Sequence, residues 1–174
     1  RETTLTPLGD VDFFLARYAA DGSLEWAIRD GGEIGSDYGH SVAAFADGSS
    51  VVTGSCRGTV VFGDGEPGAT TVGSGDGKCM FVARYNVDGS FAWVRSACGS
   101  GILSGHSVSA FEDGSLAVAG QFSGSVVFGE GESEETTLRT LVNVISNQFV
   151  ARYQSNGDLS WVRQAVSLTS DSGG

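Results

Sequence analysis

Apolar and polar positions along the chain alternate with a period of two in short runs, and each run stops at a glycine-bearing turn. Ser41 to Phe45 alternates and meets Asp47-Gly48-Ser49, and Ser50 to Gly54 follows as a return strand. Phe81 to Tyr85 meets Asp88-Gly89-Ser90, and Phe91 to Ser96 returns. Asp21-Gly22-Ser23, Asp113-Gly114-Ser115 and Asn156-Gly157-Asp158 punctuate the chain in the same way. Asp or Asn before Gly suits tight hairpins, which need positive φ at low steric cost. No stretch carries an apolar period of 3.6. The pattern predicts an all-β chain.

The runs recur. Phe14-Leu15-Ala16-Arg17-Tyr18 returns as Phe81-Val82-Ala83-Arg84-Tyr85 and as Phe149-Val150-Ala151-Arg152-Tyr153, with Trp26, Trp93 and Trp161 each twelve residues after its Phe. Gly39-His40-Ser41-Val42 returns as Gly105-His106-Ser107-Val108, and Val60-Val61-Phe62-Gly63 as Val126-Val127-Phe128-Gly129. Thr3-Thr4-Leu5, Thr70-Thr71-Val72 and Thr136-Thr137-Leu138 mark one place three times. A full unit reads as strands A (41–45), B (50–54), C (81–85) and D (91–96), with an outward extension of the B–C hairpin. Val60 opposite Val72 and Val52 opposite Ala83 give registers that differ by three residues, which predicts a bulge around Gly73 to Gly77. The chain then divides into a C–D half unit (1–36), one unit (37–104) and a second (105–174).

Strands C and D carry apolar residues on both faces: Phe81, Val82, Ala83 and Tyr85, then Phe91, Ala92, Trp93 and Val94. Such a sheet must be covered on both sides. Four-stranded antiparallel sheets repeated around an axis satisfy this, so the expected fold is a β-propeller-like array of about two and a half units. Ten strands are fewer than a closed propeller needs. A piece of a longer repeat protein, closure by self-association and an open stacked array are the three ways to reconcile the count.

These segments, DFFLARYAADGSLEWAIRDGG and then GHSVAAFADGSSVVTGSCRGTVVFGDG, resemble the bacterial β-propeller repeat of the SBBP type over residues 3–164. The resemblance implies a secreted or cell-surface bacterial repeat protein, and it brings no catalytic motif. Cys56 stands where the family commonly has Phe, and Glu130 to Glu135 form an acidic insert.

Composition narrows the picture further. Lys and Arg number 10 against 21 Asp and Glu, a net charge of −11, which argues against nucleic acid and anionic membrane surfaces as partners. No apolar run approaches the length of a membrane span. The Gly/Ser/Thr-rich, low-lysine composition leans towards an extracellular or periplasmic setting. The first residue is Arg1 rather than Met, from which a processed product or an excised piece is expected.

Three cysteines, Cys56, Cys79 and Cys98, form no CxxC pair. The B–C register sets Cys56 opposite Cys79, so a disulfide is expected there with Cys98 left over; two reduced, buried thiols are the alternative. His40 and His106 occupy equivalent places just before strand A, where a structural hydrogen bond is a better reading than a catalytic base. The three tryptophans, and likewise Tyr18, Tyr85 and Tyr153, read as packing between units rather than as a sugar platform. Arg17, Arg84 and Arg152 lie mid-strand and should bond loop carboxylates or backbone carbonyls. The candidate metal ligands are Asp64 and Glu66 in one hairpin and Glu130 and Glu132 in the other, offering oxygens to calcium, with solvated surface charge as the alternative. Asp10 and Asp12 are weaker candidates. Gly73 to Gly77 opens no helix, so a phosphate loop is not supported.

The function these features suggest is a non-enzymatic secreted or cell-surface module that presents its hairpins and loops to a protein or carbohydrate ligand. A self-assembling ring or fibre joined through blade edges is the alternative. An enzyme with its site at a propeller axis would need a non-repeated polar cluster, and none stands out in the sequence.

Overall fold

In the computed structural model, residues 3–73, 77–99, 101–140 and 145–165 are described. All regular elements among them are strands, in antiparallel sheets. No helix of these residues is long and apolar enough to cross a membrane.

The first hairpin is β1 (Phe13–Tyr18) with β2 (Leu24–Asp30). A four-stranded sheet follows, in the order β3 (Tyr38–Ala44), β4 (Ser50–Arg57), β7 (Lys78–Tyr85), β8 (Phe91–Gly99). Its long hairpin is a separate two-stranded sheet, β5 (Val60–Phe62) with β6 (Thr70–Val72). The second four-stranded sheet is β9 (Leu103–Ala110), β10 (Leu116–Phe122), β13 (Asn147–Tyr153), β14 (Leu159–Ala165), with β11 (Ser125–Phe128) and β12 (Thr136–Arg139) as its hairpin.

The expected registers are observed: Val52 faces Ala83 and Val60 faces Val72. The register changes between Gly77, whose carbonyl accepts from Gly58, and Val72. Residues 74–76, the middle of the expected bulge from Gly73 to Gly77, lie outside the described residues. Strands β3 and β8 run three residues beyond the alternating cores that predicted them, and β9 begins at Leu103. The D-to-A connection is correspondingly shorter than the sequence suggests, and the expected unit boundary at 104/105 lies inside β9.

Each turn is set locally. Asp21, Asp47, Asp88 and Asp113 accept, through Oδ1, the backbone N–H of the serine two residues on, at 2.8–3.0 Å. Asn156 does the same for Asp158 at 3.1 Å. This is the Asx-turn chemistry that favours Asp and Asn before glycine.

The sheets stack face on face. Phe13 and Leu15 of the first hairpin pack with Val52, Cys56, Phe81, Ala83 and Tyr85 on one face of the β3-β4-β7-β8 sheet. Val51, Met80, Val82 and Ala97 of its other face pack with Leu103, Val108, Phe149, Ala151 and Tyr153 of the second sheet. The central strands β4 and β7 of the middle sheet are therefore dry on both sides, which accounts for their unbroken apolar runs. Phe13, Phe62 and Phe81 cluster with ring centroids 5.0–6.0 Å apart, and Phe128–Phe149 at 4.9 Å reproduces the Phe62–Phe81 contact.

The two ends of the stack are bare. Phe14 is 67% and Tyr18 61% exposed, and Trp161 is 38% exposed at the other end. The reading of all three tyrosines as packing residues is thus corrected for Tyr18. Tyr85 and Tyr153 bury their rings against a preceding sheet, and no described sheet precedes β1.

Candidate functional site

The residues that repeat in the sequence build the joints between sheets. Arg17 ion-pairs with Glu25 at 2.6 Å and donates to the Gly48 carbonyl at 2.7 Å in the next sheet. Arg84 bonds Asp47 at 3.0 Å and the Ser155 carbonyl of the next sheet at 3.1 Å, and lies over the Phe45 ring. Arg152 bonds Asp113 at 3.3 Å and lies over Phe111. The expected carboxylate and carbonyl partners are all present. Two of the three tryptophans sit beside the next sheet's C–D turn: Trp26 against Gly89, with its indole N–H donating to the Val87 carbonyl at 3.0 Å, and Trp93 against Gly157. Trp161, half-exposed at the end of the stack, has no described sheet to pack on, and the packing reading is corrected there.

The four acidic candidates are not gathered into one site. Glu66 accepts the Phe91 N–H at 2.9 Å, and Glu132 accepts the equivalent Leu159 N–H at 2.5 Å while Arg95 stands 3.5 Å from its other oxygen. Each folds its hairpin tip back onto the first residue of strand D and satisfies a donor there. Asp64 and Glu130 are exposed, on different hairpins. Among the described residues no group of three or more His, Cys, Asp or Glu is placed to hold a metal ion.

The cysteine pairing requires a correction. Cys56 does face Cys79, but the disulfide joins Cys79 to Cys98, and Cys56 is a free, buried thiol. Cys79 faces a cysteine on each side. In an antiparallel sheet a residue forms a wide hydrogen-bonded pair with one neighbour and a narrow non-hydrogen-bonded pair with the other. The Cys79–Cys98 Cα separation of 4.1 Å marks the narrow pair, so the wide pair falls to Cys56. Burial, and then the charge of Asp37, push the Cys56 thiol up to about 12.

Three carboxylates, each with its own hydrogen-bond partners, are spread along the junction of the first hairpin with the middle sheet. Asp12 accepts from the Leu8 N–H at 2.6 Å and from Arg29 at 3.0 Å, and its other oxygen is buried without a partner. Asp37, fully buried, accepts from Gly32 N–H at 2.8 Å and Arg57 N–H at 3.2 Å. Asp30 accepts from the buried Tyr85 hydroxyl and, at 3.1 Å, from Gly63 N–H. Burial raises the carboxyls of Asp30 and Asp37 above the usual aspartate range, against the lowering effect of these bonds. Sequence reasoning passed over Asp30 and Asp37. The available signal was non-repetition, because the matching places in the next unit are Ala97 and Leu103.

Beside this junction lies a cleft of about 510 Å³ lined by Leu8, Ile34 and Val61, with Glu33 and Asp64 at its rim. Leu8 and Ile34 are 50% and 66% exposed. Apolar walls beside two exposed carboxylates suit a ligand with an apolar face and donor groups, such as hydroxyls or amides, along its edge.

No protein-family model matches the chain, and no curated protein matches it significantly.

Proposed function

We propose that the chain is a non-enzymatic binding module from a secreted or cell-surface bacterial protein, built from β-propeller-type blades of the SBBP-like repeat. The observation that carries this reading is the division of labour along the sequence. The Trp–glycine and arginine joints recur from one sheet interface to the next, while the hairpin tips keep one backbone turn and differ in sequence: Asp64 to Ala69 in one and Glu130 to Glu135 in the other. A scaffold keeps its joints and varies what it displays. The Cys79–Cys98 disulfide supports an oxidising compartment.

The Leu8/Ile34/Val61 cleft is the proposed ligand site, with a protein or carbohydrate as its ligand. Arrays of immobilised glycans and extracellular-matrix proteins, probed with the chain and with Ile34→Asp, test this. The expected result is a set of signals lost in the variant with its circular dichroism unchanged. Identical signals from both proteins refute the cleft, and turnover of a bound glycan or peptide refutes the non-enzymatic reading.

A second reading, self-assembly, is favoured by the bare ends of the stack. Trp161 and Val150 at one end and Phe14 and Tyr18 at the other are unlike surfaces, so contact between copies would be head-to-tail, giving a ring or a fibre. Light scattering would then show a defined oligomer that Trp161→Glu dissociates. A monomer at all concentrations excludes this reading.

A further inference from the structure

The two histidines of the chain come together. His40 on β3 and His106 on β9 have ring centroids 5.9 Å apart, with the planes at 72°. Each is the extra residue of a β-bulge. Gly39 and Ser41 pair with Gly54 and Thr53, which skips His40, and Gly105 and Ser107 pair with Gly120 and Ala119, which skips His106. A bulge re-aims the side chain of its extra residue, and here it does so twice at one seam. The seam itself is bonded: Ser41 Oγ accepts the Val108 N–H at 3.2 Å.

The tautomer of His40 follows from its partners. Its Nδ1 lies 2.9 Å from the Gly105 carbonyl oxygen and 3.0 Å from Ser104 Oγ. A carbonyl oxygen only accepts, so Nδ1 is the donor to it, which leaves Nε2 as the nitrogen available to an ion. Its Nδ1 edge is held by a backbone carbonyl, and the ring is flanked by Tyr38, whose ring is nearly parallel at 6.2 Å. This is the outer-shell arrangement that orients metal-binding imidazoles. Both histidines are exposed, so an ion reaches them from solvent.

We propose that His40 and His106 form a two-imidazole site for a divalent first-row transition ion of the Cu²⁺, Ni²⁺ or Zn²⁺ class. With a metal–nitrogen bond of about 2.0–2.1 Å and a nitrogen about 1.1 Å from its ring centre, two imidazoles on one ion have centroids at most about 6.4 Å apart. The observed separation of 5.9 Å corresponds, on the same bond lengths, to an N–metal–N angle of about 135–145°, so the two exposed rings close by roughly 0.7 Å to reach the tetrahedral angle. No third His, Cys, Asp or Glu joins the pair among the described residues, so water completes the coordination shell. Imidazole ligands select this class of ion over calcium or magnesium. The site goes beyond the scaffold reading and does not depend on it.

Calorimetric titration of the chain with NiCl₂ tests the site, with Cu²⁺ electron paramagnetic resonance as a second readout. One ion should bind per chain, and the copper spectrum should show coupling to two imidazole nitrogens. His40→Ala and His106→Ala should each weaken binding by about tenfold or more, since even an outer-shell loss commonly costs about that much. Among the described residues the His106 side chain makes no hydrogen bond in the β3–β9 seam, so its variant leaves the Val108–Ser41 and His40–Gly105 bonds in place. Absence of saturable binding, or binding unchanged in His106→Ala, overturns the proposal. Sulfur ligation in the copper spectrum does so too, by assigning the ion to Cys56.

Discussion

Gly89→Ala provides a direct measure of the tryptophan joint, because Gly22 serves as its internal control. Both glycines occupy the same place in a C–D turn, with φ of 88° and 82°. An added Cβ at either is strained by positive φ, at about 1–2 kcal/mol. At Gly22 that Cβ would meet nothing within 4 Å, whereas at Gly89 it would lie 2.9 Å from Trp26 Cδ2 and 3.1 Å from Cγ. Carbon atoms prefer about 3.5–4.0 Å, so the indole must retreat by roughly 0.6–1 Å. Overpacking of this kind costs about 1–3 kcal/mol. Gly22→Ala should therefore cost about 1–2 kcal/mol, and Gly89→Ala about 1–3 kcal/mol more. Urea unfolding followed by circular dichroism measures the difference, provided the m-values match. In a Trp26→Ala background the difference should vanish, because the clashing ring is gone. Equal costs at the two glycines, or a difference that survives without Trp26, would refute the joint.

Three further outcomes are expected. Non-reducing peptide mapping should recover Cys79 joined to Cys98, with Cys56 alkylated only after unfolding; with a sequence separation of 19, the bridge should contribute about 3 kcal/mol, measurable as the loss in a Cys79→Ser/Cys98→Ser variant. Glu132→Ala should strand the buried Leu159 N–H at a cost of about 1–3 kcal/mol in thermal unfolding, while Glu132→Gln keeps an acceptor and recovers much of it. Asp30 should give a pH signature. Because burial raises its carboxyl above 3.8, the native state holds more protons than the unfolded state in the range above that value, so this group's contribution falls as pH rises. Asp30→Asn should flatten that slope, and Asp30→Ala should cost about 1–3 kcal/mol for each of the two stranded donors, Tyr85 O–H and Gly63 N–H, as read by urea unfolding across the acid range.

The turn residues and two-residue alternation determine the strand order of each four-stranded sheet, because both are local. Asp47-Gly48-Ser49 bonds within itself, and the pairing of Val52 with Ala83 follows from hairpin counting. Counting also placed Cys56 opposite Cys79, but the disulfide went elsewhere. Which pair is narrow depends on where the carbonyls of β7 point, and the order of residues does not encode that direction. Glu66 and Glu132 looked like free ligands because a sequence shows a carboxylate and hides the amide it accepts from, 25 and 27 residues away. The burial of Asp30 and Asp37, and the approach of His40 to His106, belong wholly to tertiary structure. They arise at seams between sheets, where residues distant in the chain meet only after two apolar faces have expelled water from between them.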